Sequence, residues 1–557
     1  MAQFLRLGSF LLFSVLLTAQ AEGVAPSDLE CENAPALKIS ITRSGLYRIP
    51  GQELSDFFNC DVFDFDRLRL SNQANPAHFA VVKEKQTPGT DLVFSARHLS
   101  GAQSYFNEFS PYNIYWLSLG EPVAEPLTQQ QQGELSRYAS AVHSVTRLEE
   151  DELRVRFPGR ADAPQPEVWY WARLNSIDNT AFEVPLELQG RRATTVPRIR
   201  IGLRGWSTLP DGTHDDVADH RIEVFLNGHL IGSGEWQDQE EFVLEILDIP
   251  TDILNKDGSN RLSFRVPQRT LEGDSKPMAD AVLLNWIEVE YEHNGMLPVG
   301  QHNLRVHNQE GGWFRLSGLG DTPPFVMSES GQQLKPYESY QQGKLHWHRY
   351  AVLKDTSNYV AVVGDAFYQA STIVADAPSN LRAANQKADY LILTHRRLRQ
   401  AIEPLADFHR QQGLSVQLID IEDVYDEFND GVLAPAAIRY FISHSYHKWQ
   451  RPGPRFVLLV GDASWDVRSE LGKDSNYADL TFKQIEKSKF VKNRSYKYKD
   501  DMNAVDRNVI PTWPVETFEG YAASDNVFVA VDGDDYWPDL AIGRFPVSDP
   551  ADVTDIV

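Results

Sequence analysis

Cysteine is almost absent from this chain: Cys31 and Cys60 are the only two in 557 residues. A thiol-dependent reaction needs a thiolate as its attacking species, so everything after position 60 is without one. Basic residues are also scarce, with 53 Lys and Arg against 78 Asp and Glu, giving a formal net charge of −25. Nucleic acid and anionic membrane surfaces repel such a chain, which argues against both as partners. After Ala21 no apolar run is long enough to span a bilayer. Ser464 is not part of a Gly-x-Ser-x-Gly elbow.

What is present begins with a leader. Met1 to Ala21 carries Arg6, an apolar core Phe10–Leu17 and the small-x-small sequence Ala19-Gln-Ala21, the pattern of a secretory signal peptide. The mature chain is therefore expected to be exported, to the extracellular space, the periplasm or the cell surface, and soluble unless a further C-terminal part anchors it. In an oxidising compartment Cys31 and Cys60 read as a disulfide, with free thiols as the alternative. The acidic surroundings of Cys31 in Asp28-Leu-Glu-Cys-Glu32 disfavour a thiolate. With 42% hydrophobic and 11% aromatic residues the chain can bury substantial cores, and its length calls for two or three domains.

Residues 22–175 read as a β-rich N-terminal domain. Alternation over Leu37–Ile49, interrupted at Ser44-Gly45, predicts a hairpin. Short strand-like runs follow at 79–82, 91–95, 113–119, 153–157 and 167–171, and the tract Gln129–Gln132 reads as an exposed loop. Residues 176–295 contain six longer runs, with Asn227-Gly228 as a hairpin turn between two of them. They predict a β-sandwich of jelly-roll type. Trp206, Trp236 or Trp286 could offer carbohydrate or a cell surface an aromatic contact, and core or edge packing is the other reading. A β-rich connecting region, 296–375, leads to a polar, Pro-containing linker at 376–387.

From 388 to 557 the hydrophobic period changes from two to 3.6. Tyr390–Thr394 is a strand, and Leu398, Ile402, Leu405 and Phe408 mark the core face of a helix. A strand at Val416–Ile421, a helix near Pro435–Trp449 and the apolar strand Phe456–Val460 ending on Gly461-Asp462 follow. This βαβαβ succession predicts a parallel sheet, whose carboxyl ends are where ligands and catalytic groups sit. Residues 470–520 read as a long polar surface loop. A further strand is expected over Val527–Val531, running into a turn with Asp532, Asp534, Asp535 and Asp539. Such crowded carboxylates repel one another unless a cation lies between them, and their hard oxygens suit calcium; a solvated acidic turn is the alternative. His395, His444 and His447 have no Cys or carboxylate cluster at ligand spacing beside them and read as surface or core histidines.

Five features in order carry a family resemblance: Tyr390-Leu-Ile-Leu-Thr394; Val416-Gln-Leu-Ile-Asp420; Val424-Tyr-Asp-Glu-Phe428 with Ala437-Ile-Arg439; Leu459-Val-Gly-Asp462; and Ser524-Asp525 leading to Ile542-Gly-Arg544. Together they make the last third similar to the first part of the catalytic domain of the gingipains, secreted cysteine endopeptidases with a caspase-like α/β fold. The β-rich region before it resembles what precedes such domains. The resemblance implies calcium held by the side chains of Asp462, Asp535 and Asp539 and the carbonyls of Asp532 and Trp537. It places the catalytic His and Cys beyond Val557, so this chain is expected to be inactive alone and the front part of a longer protease acting on proteins or peptides. Specificity residues are expected beyond Val557 too. Two other readings stay open: a non-catalytic surface or carbohydrate-binding protein with a degenerate caspase-like domain, and a sortase-like processing peptidase of a secretion system.

Overall fold

In the strand Ala36–Ile41, Leu37, Ile39 and Ile41 face inward and Lys38 and Ser40 face outward, which sets the first β layer. The computed structural model describes residues 35–557 except 59–64, 84–89, 102–103, 121–139, 156–166, 179, 209–216, 272–274, 308–311, 354–357, 377, 465–466, 468–507 and 518–519. The leader, both cysteines with their expected disulfide, the Gln129–Gln132 tract and most of the 470–520 stretch lie outside the described residues. No helix among the described residues is long and apolar enough to cross a membrane.

The hairpin expected over 37–49 does not form. Ala36–Ile41 pairs with Thr372–Asp376 and Asn113–Leu119, whereas Gly45–Ile49 pairs with Thr90–Ala96 in a separate three-stranded sheet. Both runs have an apolar face, and crossing from one sheet to the other buries Leu37, Ile39, Tyr47 and Ile49 in a single core, which a two-stranded hairpin could not do.

A β-sandwich follows, as expected. Phe182–Glu187, Ser259–Arg265, His220–Leu226 and His229–Trp236 make a four-stranded sheet. Its inward residues Val184, Ile222, Val224, Leu262 and Phe264 pack on Ile199, Ile201, Val289 and Ile287 of the facing sheet. Asn227 and Gly228 take φ of 51° and 83°, as a tight hairpin turn requires. The facing sheet has nine strands and crosses the boundaries expected near 175 and 295. Val142–Glu149 pairs with both Ala281–His293 and Gly300–Val306, joining the sandwich to the region after it. The three tryptophans are engaged internally. Trp236 is buried and stacks on Phe242 at 4.8 Å, Trp206 packs beside Val155 and Tyr170, and Trp286 has the Arg147 and Arg200 guanidiniums 4.5 and 5.5 Å from its ring.

The expected linker is a packed strap. Leu381 is buried, its carbonyl accepts from Trp449 Nε1 at 2.9 Å, and the Glu427 carboxylate accepts from Ser379 Oγ, Leu381 N and Arg382 N. Beyond it lies a four-stranded, all-parallel sheet in the order Val416–Asp420, Tyr390–Thr394, Phe456–Val460, Ala541–Phe545. Helices Arg396–Gln411, Ile421–Asn429 and Pro435–Lys448 contribute to its core. In the first of these Leu398, Ile402 and Ala406 are buried, but Phe408 is 54% exposed, so the core face ends one turn earlier than expected.

The N-terminal sheet docks on this unit through its outward face. Lys38 Nζ lies 3.1 Å from Glu422 Oε2 and 2.5 Å from Asp426 Oδ1, and Trp116, its cross-strand neighbour, donates to the Asp430 carbonyl at 3.0 Å. Burial alone would lower the Lys38 pKa, but the two carboxylates outweigh it and hold the ammonium charged. Gly431, at φ 86°, lies so close that an added Cβ would be 2.9 Å from Ile114 and 3.1 Å from Trp116.

At the end of the strand Ala281–His293, His293 is buried, and its Nδ1 accepts from Gly295 N at 2.9 Å. Burial, with nearby His302, pushes its pKa down to about 4. The unfolded chain therefore takes up this proton first. Stability from the group is complete above about pH 6.5 and is lost as pH falls towards 4, a difference of up to about 3 kcal/mol. His293→Gln is expected to flatten the dependence of the urea midpoint on pH across that window; a slope equal to wild type contradicts the assignment.

Candidate functional site

Because all four strands of the α/β sheet run the same way, their polar exit residues collect on one edge. Thr394 and His395 leave the first strand, Asp420 the second, Gly461 to Ser464 the third, and Phe545 to Val547 the fourth. Neighbouring exits are tied to one another. Thr394 Oγ1 donates to the Val460 carbonyl at 3.2 Å, Gly461 N to the Phe545 carbonyl at 3.0 Å, and Asp462 N to the Val547 carbonyl at 2.8 Å. Asp420 caps the helix after it by accepting from Glu422 N at 3.2 Å, and His395 Nδ1 caps its own helix by accepting from Arg397 N at 3.2 Å. Burial lowers the His395 pKa despite nearby Asp420 and Glu422, which keeps the ring a neutral acceptor. Behind this edge, burial and then Asp420 and Asp376 push Asp423 up to about 6.

Arg544 is the node of the edge. Its Nε and Nη2 take both oxygens of Asp525, at 2.7 and 2.8 Å, while Nη1 donates to the Gly461 and Ile510 carbonyls at 2.8 and 2.7 Å and Nη2 to Pro511 O at 3.3 Å. Thr512 Oγ1 adds a hydrogen bond to Asp525 at 3.0 Å. The planar guanidinium fork suits this multiple engagement, which a lysine cannot copy. Three segments, at 461, 510–511 and 525, thus converge on one side chain. Sequence reading quoted Asp525 and Arg544 as motif residues without pairing them; the available signal was two opposite charges at the ends of otherwise small or apolar runs. It also missed Lys38, although Glu422 and Asp426, one helical turn apart, have no basic residue within reach on their own helix.

The residues expected to hold calcium are divided by the sheet. Residues 526–529 form a 3₁₀ turn where a strand was expected, so the acidic turn leads into the last strand instead of leaving one. Ala541, just after that turn, pairs with Phe456 and donates to the Arg455 carbonyl, at the amino end of the sheet. Asp462 lies past Val460 at the carboxyl end, and the intervening strand Phe456–Val460 is roughly 13 Å long. Asp462 therefore cannot share an ion with Asp535, Asp539 and the carbonyls of Asp532 and Trp537. Asp539 Oδ2 accepts from Val531 N and Asp532 N, both at 2.8 Å, and Asp535 Oδ1 from Trp537 N at 2.9 Å, so each carboxylate shapes the turn. Among the described residues these carboxylates do not gather three donors at metal-binding spacing. The five-residue cage does not fit the arrangement. His444 and His447 also lie towards the amino end, where their Nε2 atoms meet the carbonyls of Arg382 and Val531 at 3.2 and 3.0 Å.

Removing the node has a calculable cost. Arg544→Met abolishes five hydrogen bonds and leaves the Asp525 carboxylate half-buried without its cation. A loss of roughly 3–5 kcal/mol in chemical denaturation is expected, only partly recovered in Arg544→Lys. A loss below about 1 kcal/mol would show that the edge does not depend on it.

Comparison with known proteins agrees with this geometry. Residues 383–557 match the family model described as Peptidase family C25. The chain is similar in fold to the crystal structure of dimeric latent PorU from Porphyromonas gingivalis, with a TM-score of 0.58 and 16% identity. That likeness covers 94% of this chain and 49% of the other, so the chain spans about half the length of that protein. Similarities to the CBM36-1 domain of a xylanase from the hindgut metagenome of Trinervitermes trinervoides (TM-score 0.15, 12% identity, 26% of this chain and 95% of that one) and to a β-D-glucuronidase of Dictyoglomus thermophilum (TM-score 0.16, 9% identity, 63% and 71%) are too weak to carry an argument. No curated protein matches. The part of this chain that matches peptidase family C25 is thus its α/β unit, within residues 383–557.

Proposed function

We propose that the chain is the front part of an exported gingipain-type cysteine endopeptidase acting on protein or peptide substrates, with its His and Cys supplied by residues beyond Val557. The observation that carries this reading is the coincidence of the family match, residues 383–557, with the parallel sheet whose carboxyl edge Arg544 and Asp525 organise. A cysteine peptidase needs a thiolate held against a substrate carbonyl by a rigid support. In this chain Thr394, Gly461 and Asp462 fix the exits of adjacent strands relative to one another, and the Arg544 fork fixes the loops around them. These residues are positioning residues; none of them is assigned a bond-making role. The chain taken alone is expected to be inactive, because the sequence of residues 383–557 contains no cysteine.

Two experiments test the reading. The full-length gene product is expected to be labelled by an electrophilic peptidyl probe at a cysteine encoded beyond position 557, with labelling retained in the Cys31→Ser, Cys60→Ser double variant. Absence of labelling, or labelling lost in that variant, contradicts it and leaves a binding protein. Any calcium role rests on the turn alone. If a calcium titration raises Tm, Asp535→Asn and Asp539→Asn are expected to abolish the shift and Asp462→Asn to leave it; loss of the shift in Asp462→Asn would contradict the separation of the two ends.

A further inference from the structure

On the outer face of the nine-stranded sheet, away from the sandwich core, three side chains from three segments of the chain converge. His143 lies on Val142–Glu149, Glu290 on Ala281–His293, and His307 immediately follows Gly300–Val306. Val142–Glu149 is the middle strand, pairing with the other two, and the register sets His143 opposite both Glu292 and Arg305. Glu290, two residues from Glu292, therefore shares this face. Its Oε1 lies 3.4 Å from His143 Nδ1 and 2.5 Å from His307 Nε2, and the two imidazoles meet edge to face at 4.9 Å. One donor atom from each residue lies within 4.8 Å of the other two, and among the described residues this is the one group of three or more His, Cys, Asp or Glu that meets the condition.

We infer that His143, Glu290 and His307 form a binding site for a divalent transition-metal ion of the zinc type. Two imidazole nitrogens and one carboxylate oxygen are a donor set suited to Zn²⁺. With metal–ligand bonds of about 2.1 Å, neighbouring tetrahedral donors stand roughly 3.4 Å apart. The His143–Glu290 separation already has that value, and the shorter His307–Glu290 contact is a hydrogen bond that opens by about 1 Å when the ion replaces its proton. His307 can make this movement, because its side chain is 55% exposed and it stands at the end of its strand. The carboxylate is oriented from behind: Arg305 Nη1 holds the other oxygen, Oε2, at 2.7 Å, while Arg305 Nε donates to Asn358 Oδ1 at 3.2 Å. The Arg305 charge opposes a cation, and Glu292 across from His143 offsets part of it. Solvent completes the shell on the His307 side. A bound ion cross-links three strands where the sandwich joins the region after it, so its effect is a clamp on that junction.

The test is a Zn²⁺ titration of the full chain, read by competition with a chromophoric chelator and by Tm, with visible absorption after Co²⁺ substitution as a coordination signature. One site with micromolar or tighter affinity, a rise in Tm, and Co²⁺ absorption of tetrahedral intensity are expected. His307→Ala, an exposed change that leaves the fold intact, is expected to weaken binding at least tenfold. The His143→Gln, His307→Gln double variant should lose both the site and the Co²⁺ signature, while His346→Ala, elsewhere on the surface, should leave them unchanged. Absence of saturable binding, or wild-type affinity in His307→Ala, overturns the proposal.

Discussion

The bidentate pair between Arg544 and Asp525 is the constraint on which the candidate site depends. A parallel sheet delivers its loops to one edge, but loops carry no order of their own; they need a common partner. Arg544 provides one by donating to the backbone of two separate loops while its charge is balanced by Asp525. The arginine is only 12% exposed, so its desolvation is offset by the number and geometry of these bonds, and a partial set would leave a buried charge. Such an edge is preorganised, which the proposed peptidase activity would require of its support.

The β region is attached to this support by a second charge cluster. Lys38 bridges to Glu422 and Asp426 on the helix that begins at Asp420, a residue at the same functional edge. Burial, only partly offset by Lys38, pushes Asp426 up to about 7. The strap around Leu381 and Glu427 adds a second attachment to the same helix. The N-terminal sheet and the strap are thus both tied to one short helix.

Much of this was legible in the sequence, and the failures have physical causes. The parallel strands were readable because both faces are buried, leaving uninterrupted apolar runs such as Phe456–Val460, and the sandwich was readable from alternation and from Asn227-Gly228. The hairpin over 37–49 failed because alternation specifies a strand's faces but not its partner, and long-range pairing with Thr372–Asp376 leaves no local signal. The run 527–531 was misread because a short apolar stretch looks the same in a strand and in a buried turn. That error carried the acidic turn to the wrong end of the sheet and made one cage of residues that stand at opposite ends. Arg544, Lys38 and the His143–Glu290–His307 group depend on tertiary convergence, and sequence spacing alone could not reveal it.

The central proposal is that the carboxyl edge ordered by Arg544 supports the peptidase chemistry proposed for the full-length protein. The most direct measurement is an experimental structure of the full-length protein carrying a covalent peptidyl thiol inhibitor. The account predicts the inhibitor beside the exits at Thr394 and Gly461, with the Arg544–Asp525 pair intact behind it. An inhibitor bound at the amino end of the sheet, near the 532–539 turn, or within the β-sandwich would contradict it.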